Sequence, residues 1–219
     1  MPENRHVFLI LAKENNEVLR EMRSRLEDSN MDFLVHVMDD PADNYLDSVY
    51  QLIQAAVEQG SYSYYHILPG NCLPLKTPEQ IRFFFESREG EEFITITGSA
   101  PLSELQPPLK NLLHMKKKTS YRIKTGSPWA SVTDSFARYL LLVHEYADYL
   151  FAQAPDAEHM FLPTMAANSD YKDRISDENI FLKIWPEELS RAPGYPEALQ
   201  QKMQDSLALF AGPLREENL

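Results

Sequence analysis

The first half of the chain alternates strand-like and helix-like segments, and this pattern restricts its fold more than any other feature. Short, largely apolar runs predict buried strands at 7–12, 33–38, 64–68 and 93–97. Between them, apolar residues recur at helical spacing, as at Leu46, Val49 and Ile53. The alternation predicts an α/β domain with a mostly parallel central sheet flanked by helices.

Capping residues mark the starts of two of these helices. Asn15 or Asn16 can cap the helix after the first strand, because a short polar side chain accepts hydrogen bonds from free backbone N–H groups. Thr77 is followed by Pro78, which suits the first helical position, and by Gln80, which completes a capping box. A helix is therefore predicted to follow Thr77.

The turn Pro69-Gly70-Asn71 follows the third predicted strand. In α/β sheets, polar turns at the carboxyl ends of strands are the places where ligands bind. We therefore expect this turn to border a ligand site. The sequence contains neither of the glycine-rich phosphate loops, G-x-G-x-x-G and G-x-x-x-x-G-K.

The second half of the chain is less regular. Residues 98–125 predict an irregular crossover loop, because prolines and a basic run between Lys116 and Lys124 interrupt the pattern. A long helix capped by Thr133 is predicted at 134–149, and a shorter one opens at Pro155-Asp156. A last strand is predicted at 180–184, and a final helix carries four apolar residues, Leu199, Met203, Leu207 and Phe210.

The sequence is acidic, with a formal net charge of -12 over 219 residues. Its field disfavours nucleic acid and anionic membranes as partners, and an anionic ligand would need a local cluster of Lys and Arg. The single cysteine, Cys72, excludes an intramolecular disulfide. Because we find no signal peptide and no apolar run of membrane-spanning length, we expect a cytoplasmic protein without a transmembrane segment.

Seven motifs follow one another along the chain. They are His6-Val7-Phe8-Leu9-Ile10-Leu11-Ala12, residues 33–39, Leu68-Pro69-Gly70-Asn71-Cys72-Leu73-Pro74-Leu75, Gly126-Ser127-Pro128-Trp129 with Val132-Thr133, residues 156–169, Leu182-Lys183-Ile184-Trp185 and Leu209-Phe210-Ala211. In this order they resemble the Core-2/I-branching family of glycosyltransferases. The third motif is similar to the family's Leu-Ser-Gly-x-Asp-x-Pro-Leu segment, and the fourth is similar to its Gly-Ser-x-Trp block.

The resemblance implies a single-domain glycosyltransferase A-type fold, with a nucleotide-binding half at 1–98 and an acceptor and catalytic half at 99–219. It also implies inverting transfer of a sugar, typically N-acetylglucosamine, from a UDP donor to a glycan hydroxyl. In this family one carboxylate is the general base, and Lys and Arg stabilise the leaving diphosphate in place of a metal. No cofactor is then expected besides the UDP-sugar substrate. Animal members carry an N-terminal membrane helix that this chain lacks, so a bacterial relative is expected.

The resemblance also assigns roles to individual residues. On the donor side it implies contacts from six positions, Ala12, His36, Asp39, Lys183, Arg191 and Arg215. On the acceptor side it implies five, Gly70, Asn71, Cys72, Ser127 and Trp129. The family's base falls at Glu158 or His159: counting back from Thr164 selects His159, and a one-residue bulge at Ala157 selects Glu158. Carboxylate and imidazole can both act as general bases, so both remain candidates.

Several positions depart from the family pattern. Cys72 replaces an Asp, Tyr195-Pro196 replaces His-Pro, and Gly212-Pro213 stands where the family has basic residues, although Arg215 could substitute for them. These departures favour an alternative, namely a degenerate relative that binds a nucleotide, glycan or partner protein without turnover.

Each candidate also has a purely structural interpretation. Glu158 could be an acidic residue that complements the helix dipole, and His36 and Trp129 could be core residues. No metal site is expected at the candidate active site, because Gly98-Ser99-Ala100 stands where related folds carry Asp-x-Asp. A hard cation could bind to Asp39, Asp40 and Asp43. The favoured interpretation of these three residues is a helix cap and a solvated turn.

Overall fold

The computed structural model of the protein describes residues 4–39, 43–100, 122–151, 154, 156–189 and 194–215. Its first elements alternate between strand and helix: β1 (His6–Ala12), α1 (Glu17–Arg25), β2 (Met31–Val37), α2 (Tyr45–Gln59) and β3 (Tyr64–Pro69). β1 pairs in parallel with both β2 and β3. The carboxyl ends of these three strands therefore lie at one edge of the sheet, and the predicted alternation is confirmed.

Both predicted helix starts are confirmed. Asn16, not Asn15, caps α1, because its Oδ1 accepts a hydrogen bond from the backbone N–H of Leu19 at 2.9 Å. After the short strand β4 (Leu73–Pro74), α3 (Pro78–Glu86) begins with a complete capping box between Thr77 and Gln80. Local polar chemistry thus determines where these helices begin.

The sheet continues beyond β3 with two strands, β5 (Phe93–Ser99) and β6 (Lys124–Thr133), in the order β2-β1-β3-β6-β5. β6 runs antiparallel to both of its neighbours, whereas the other four strands share one direction. The sequence predicted an irregular loop at 98–125. This prediction is wrong at both ends, since Gly98 and Ser99 belong to β5 and residues 124 and 125 begin β6, while residues 101–121 lie outside the described residues. β6 pairs with β5 from its first residues and with β3 at 130–133.

Three helices follow, α4 (Asp134–Leu142), α5 (His144–Phe151) and α6 (Ala157–Ala167). The predicted continuous helix at 134–149 is wrong, because the chain leaves helical geometry at Val143, with φ -100 and ψ 12. Thr133 caps α4 as predicted, accepting from the backbone N–H of Phe136.

A small second sheet is built from β4, β7 (Phe181–Lys183) and β8 (Phe210–Gly212), with β8 in the middle. The last helix, α7 (Glu197–Asp205), ends before Leu207 and Phe210, so the predicted final helix is too long. Phe210 is instead fully buried in β8, where it pairs with Pro74 of β4 and Phe181 of β7.

Alternate residues of β1 face two hydrophobic cores. Val7, Leu9 and Leu11 pack with α2, α4 and α6, whereas Phe8 and Ile10 pack with α1, α3 and the small sheet. Because β1 is buried on both faces, its carboxyl end is fixed from both sides. This rigid edge supports the site described next.

Candidate active site

An open cleft with a volume of about 630 Å³ lies at the carboxyl ends of β1 and β3. A cleft of this size suits a small-molecule ligand, and its position is the usual ligand site of α/β sheets. Its lining combines backbone turns, aromatic rings and four charged side chains. The lining residues are Leu11, Ala12, Lys13, Glu14, Asn16, Met38, Tyr45, Pro69, Gly70, Asn71, Trp129, Glu158, Pro213, Leu214 and Arg215.

The floor of the cleft depends on a glycine. The backbone N–H of Gly70 donates to the carbonyl of Leu11 at 2.8 Å, which ties the end of β3 to the end of β1. A Cβ atom at Gly70 would lie 2.5 Å from the Cβ of Ala12, closer than such atoms approach. The Pro69-Gly70-Asn71 turn therefore needs glycine so that two backbones can meet.

The C-terminal segment is brought to the same cleft by β8. The backbone N–H of Leu214 donates to the carbonyl of Asn71 at 2.7 Å, next to the pairing between β4 and β8. This contact places Arg215 on the cleft wall, more than 140 residues after Asn71 in the chain.

Two cations and two carboxylates line the cleft, namely Lys13, Arg215, Glu14 and Glu158. Neither Lys13 nor Arg215 forms an ion pair with another described residue, and both are exposed. They remain available to an anionic ligand despite the acidity of the whole chain. Sequence reasoning missed Lys13, although its place directly after β1 was a usable signal.

Glu158 and His159 lie together in the first turn of α6. Glu158 lines the cleft with its side chain 52% exposed, and its Oε1 lies 3.5 Å from Nε2 of His159. Nδ1 of His159 lies 3.1 Å from the carbonyl oxygen of Gly126, which can only accept a hydrogen bond. Nδ1 therefore carries a proton, and His159 does not line the cleft. Of the two candidate bases, Glu158 therefore lines the cleft, and His159 is its neighbour outside it.

Helix α6 is fastened along β6, which fixes the position of Glu158. The hydroxyl of Thr164 accepts from the backbone N–H of Lys124 at 2.9 Å and donates to its carbonyl at 3.1 Å. At Gly126 a Cβ atom would lie 1.8 Å from the carbonyl oxygen of Thr95 and 3.0 Å from Pro163 of α6. The glycine of the Gly-Ser-x-Trp motif is therefore required for this close packing.

Tyr45 and Trp129 form an aromatic wall of the cleft. Their ring centroids lie 6.5 Å apart in an edge-to-face arrangement, and the hydroxyl of Tyr45 donates to the carbonyl of Pro128. Burial raises the pKa of Tyr45, and the nearby charge of Glu158 raises it further, so the hydroxyl stays a proton donor. Sequence reasoning missed Tyr45, because nothing local distinguishes it from a core residue of α2.

Ser127 and Trp129 are linked directly. The hydroxyl oxygen of Ser127 accepts from the backbone N–H of Trp129 at 3.0 Å. The Trp129 side chain is half-buried and packs against both hydrophobic cores while lining the cleft. Trp129 is therefore both a core residue and part of the cleft wall, and the Ser127 hydroxyl holds its backbone.

Three further predicted site residues, His36, Asp39 and Cys72, do not line the cleft. On edge strand β2, Nε2 of His36 lies 3.8 Å from Asp43, and Asp39 is exposed beyond the strand. Cys72 is completely buried with its Sγ 3.6 Å from the Sδ of Met22, and burial raises the pKa of its thiol. Its side chain therefore belongs to the core beneath the turn.

Two predicted phosphate contacts have different outcomes. Nζ of Lys183 lies 4.1 Å above the ring of Trp185 at the end of β7 and does not line the cleft. Arg191 lies outside the described residues, as do Asp40 and Lys116 to Lys118. Of the thirteen predicted site residues, the cleft thus brings together six, Ala12, Gly70, Asn71, Trp129, Glu158 and Arg215.

The cleft lies at the edge of the sheet where parallel strands end, and separate loops contribute its charged side chains. This arrangement is typical of α/β enzymes that act on small molecules. The chain belongs to the Core-2/I-branching enzyme family, whose model matches residues 1–205. This is a family of glycosyltransferases, and the mixed α/β fold with its mostly parallel sheet agrees with the glycosyltransferase A-type fold implied by the sequence. None of the helices in the described ranges is long and apolar enough to cross a membrane.

No curated protein matches the sequence significantly. A crystal structure of a glycosyltransferase involved in the glycosylation of the major capsid of PBCV-1 is similar over 94% of this chain and 91% of its own, with 14% identity and a TM-score of 0.49. Mouse xyloside xylosyltransferase 1, in its apo form, is similar over 94% and 96%, with 10% identity and a TM-score of 0.40. The protein A197 from STIV is similar over 64% and 78%, with 10% identity and a TM-score of 0.38. The family assignment rests on the family model.

Proposed function

We propose that the protein is an inverting, metal-independent glycosyltransferase that transfers a sugar, typically N-acetylglucosamine, from a UDP donor to a glycan hydroxyl. One observation carries the proposal: a carboxylate, two cations and an aromatic ring from distant parts of the sequence converge in one cleft. These side chains belong to Glu158, Lys13, Arg215 and Trp129. Each has a distinct role in sugar transfer.

Glu158 is the general base. Its carboxylate takes the proton of the acceptor hydroxyl while that oxygen attacks the anomeric carbon from the face opposite UDP. The bond from the anomeric carbon to the diphosphate oxygen breaks, UDP leaves with the electron pair, and the configuration inverts. His159, held by the carbonyl of Gly126 and 3.5 Å from the carboxylate, is a positioning residue.

Lys13 and Arg215 stabilise the leaving diphosphate. Negative charge grows on the phosphate oxygens as the donor bond breaks, and fixed cations aimed at it lower the barrier. The guanidinium of Arg215 suits bidentate contact with phosphate, and the ammonium of Lys13 acts as a point charge. Their position at the strand ends supports a metal-independent reaction.

Thermal-shift measurements with UDP, GDP, CMP and their sugars, with and without EDTA, test the donor assignment. We expect UDP and its sugars to raise the melting temperature equally well with EDTA, because a ligand that binds only the native state stabilises it. Lys13→Ala and Arg215→Ala should each reduce the shift, whereas Lys76→Ala serves as a matched control, because the Lys76 ammonium contacts the carbonyl of Ser206 outside the cleft. A shift that EDTA abolishes and that added Mg²⁺ or Mn²⁺ restores would contradict metal independence.

A second candidate is a relative that binds a nucleotide or glycan without turnover. The specific observation in its favour is Cys72, which replaces the family's Asp and has no exposed surface. This candidate predicts a UDP-induced thermal shift together with no UDP release from any donor and acceptor glycoside. Release of UDP that depends on Glu158 would exclude it.

A further inference from the structure

A second group of polar side chains lies where the first turn of α2 meets α5. Asp47 comes from α2, and His144 and Asp148 lie one turn apart on α5. One ligand atom from each lies within 4.8 Å of the other two. None of the three lines the cleft, and the proposed sugar transfer uses none of them.

The spacing within this group suits a tetrahedral metal ion. Nε2 of His144 and Oδ2 of Asp148 are 3.3 Å apart. Two ligands bound to Zn²⁺ at tetrahedral angles are also about 3.3 Å apart, given bonds of 2.0 to 2.1 Å. The ligand atom of Asp47 lies within 4.8 Å of both. Asp47 is exposed and accepts a hydrogen bond from the amide of Asn44, so closer approach to a metal ion requires a side-chain rotation that releases Asn44.

A buried and unsatisfied hydroxyl provides an independent observation at this place. Tyr50 is only 3% exposed, and its hydroxyl has no hydrogen-bond partner within the described ranges. Its ring centroid lies 3.9 Å from that of His144, so the Tyr50 side chain packs directly against this group. Nε2 of His144 is also shielded from solvent, and its 3.3 Å contact with Asp148 does not have hydrogen-bond geometry. Buried polar atoms of this kind usually indicate a missing water or ion.

We infer that Asp47, His144 and Asp148 bind a divalent transition metal ion, with Zn²⁺ the best match, and that Tyr50 accepts a hydrogen bond from a water molecule in the fourth position. One imidazole and two carboxylates match the ligands Zn²⁺ takes, whereas Mg²⁺ and Ca²⁺ prefer oxygen ligands alone. The ion would connect α2 to α5 and so fix the start of α2, which carries Tyr45 into the cleft wall. Its role is structural and separate from the transfer chemistry.

Metal titration of the chelator-treated, full-length protein tests this inference. We expect one Co²⁺ per chain with the visible absorption of a tetrahedral site, displaced by Zn²⁺, and a rise in melting temperature with Zn²⁺. His144→Ala and the isosteric Asp148→Asn should each weaken binding by roughly 100-fold or more, since loss of even an outer partner costs 10- to 100-fold. Tyr50→Phe should weaken binding less and retain the tetrahedral spectrum.

Glu145→Gln is the matched control, because it removes an exposed charge from the first turn of the same helix and should leave binding unchanged. The inference fails if the native protein shows no saturable uptake tighter than about 1 mM. It also fails if His144→Ala and Asp148→Asn, verified as folded by circular dichroism, bind Co²⁺ like the native protein. If His144→Ala does not fold, Asp148→Asn alone decides. None of these results bears on UDP binding, so failure here leaves the proposed function untouched.

Discussion

Acidification should remove one contribution to stability, made by a buried chain of hydrogen bonds in the core beneath the sheet. Nε2 of His6 lies 2.9 Å from Oδ1 of Asn4, Nδ1 of His6 lies 2.9 Å from Nε2 of His66, and Nδ1 of His66 lies 2.7 Å from the hydroxyl of Ser131. The amide oxygen of Asn4 can only accept, so Nε2 of His6 carries the proton and each donor meets an acceptor along the chain. Both rings are completely buried and neutral.

The size of the effect follows from the pKa of His6. Burial, with the charge of Arg82 as the next cause, lowers this pKa from 6.5 to about 3. Between these values the unfolded chain binds the proton and the folded chain does not. The stability contributed by the neutral ring is therefore present above pH 6.5 and is lost as pH falls toward 3. Acidification from about pH 7.5 to about pH 5.5 should remove about 1.4 kcal/mol through His6 alone.

Urea unfolding at the two pH values, for the native protein and His6→Gln, measures this difference. Glutamine offers a donor and an acceptor but does not titrate in this range. We expect acidification to cost the native protein about 1.4 kcal/mol more than it costs His6→Gln. Other titrating groups, including Glu92, are present in both proteins, so their contributions to the pH dependence largely cancel in the comparison. If acidification changes the free energy of unfolding equally in the two proteins, His6 does not have the lowered pKa on which this prediction rests.

Three further predictions concern single side chains. Gly70→Ala should lower the free energy of unfolding by about 1–3 kcal/mol and abolish the UDP-induced thermal shift. Gly60→Ala is the control: its Cβ would lie 3.6 Å from the nearest atom, so its free energy of unfolding in urea should hardly change. Burial raises the pKa of Glu92 to about 7, so its acid form stabilises the fold at low pH and this contribution is lost as pH rises. Between about pH 5.5 and 7.5, the free energy of unfolding of the native protein should fall by about 2 kcal/mol more than that of Glu92→Gln. A smaller difference would contradict the raised pKa of Glu92. Trp129→Ala should lower kcat/KM for the acceptor far more than it weakens UDP binding by calorimetry; an equal effect on both would contradict its role.

Local sequence patterns predicted the elements whose structure depends on local chemistry. The strands at 7–12 and 64–68 and the helix after Thr77 were found because apolar periodicity and capping side chains act within a few residues. β6 and β8 were missed, because their strand geometry depends on partners far away in sequence. Phe210, for example, fits the apolar spacing of a helix in the sequence, but in the structure it lies in β8, which pairs with β4 on one side and β7 on the other.

The site also combines residues that local patterns predict with residues that only distant contacts bring into place. Gly70, Asn71 and Glu158 follow from motifs, and the structure places all three on one cleft. Arg215 reaches that cleft only through the contact between Leu214 and Asn71, which no local pattern specifies. Cys72 directly follows Asn71, yet its side chain is completely buried in the core and does not line the cleft.

UDP release from UDP-N-acetylglucosamine with acceptor glycosides, measured with EDTA for native protein and Glu158→Gln, tests the role of Glu158 most directly. We expect turnover by the native protein and a decrease of about 10²- to 10⁴-fold in Glu158→Gln, with UDP affinity unchanged by calorimetry. Full turnover in Glu158→Gln would contradict the assignment of the base and, with it, the role proposed for the cleft.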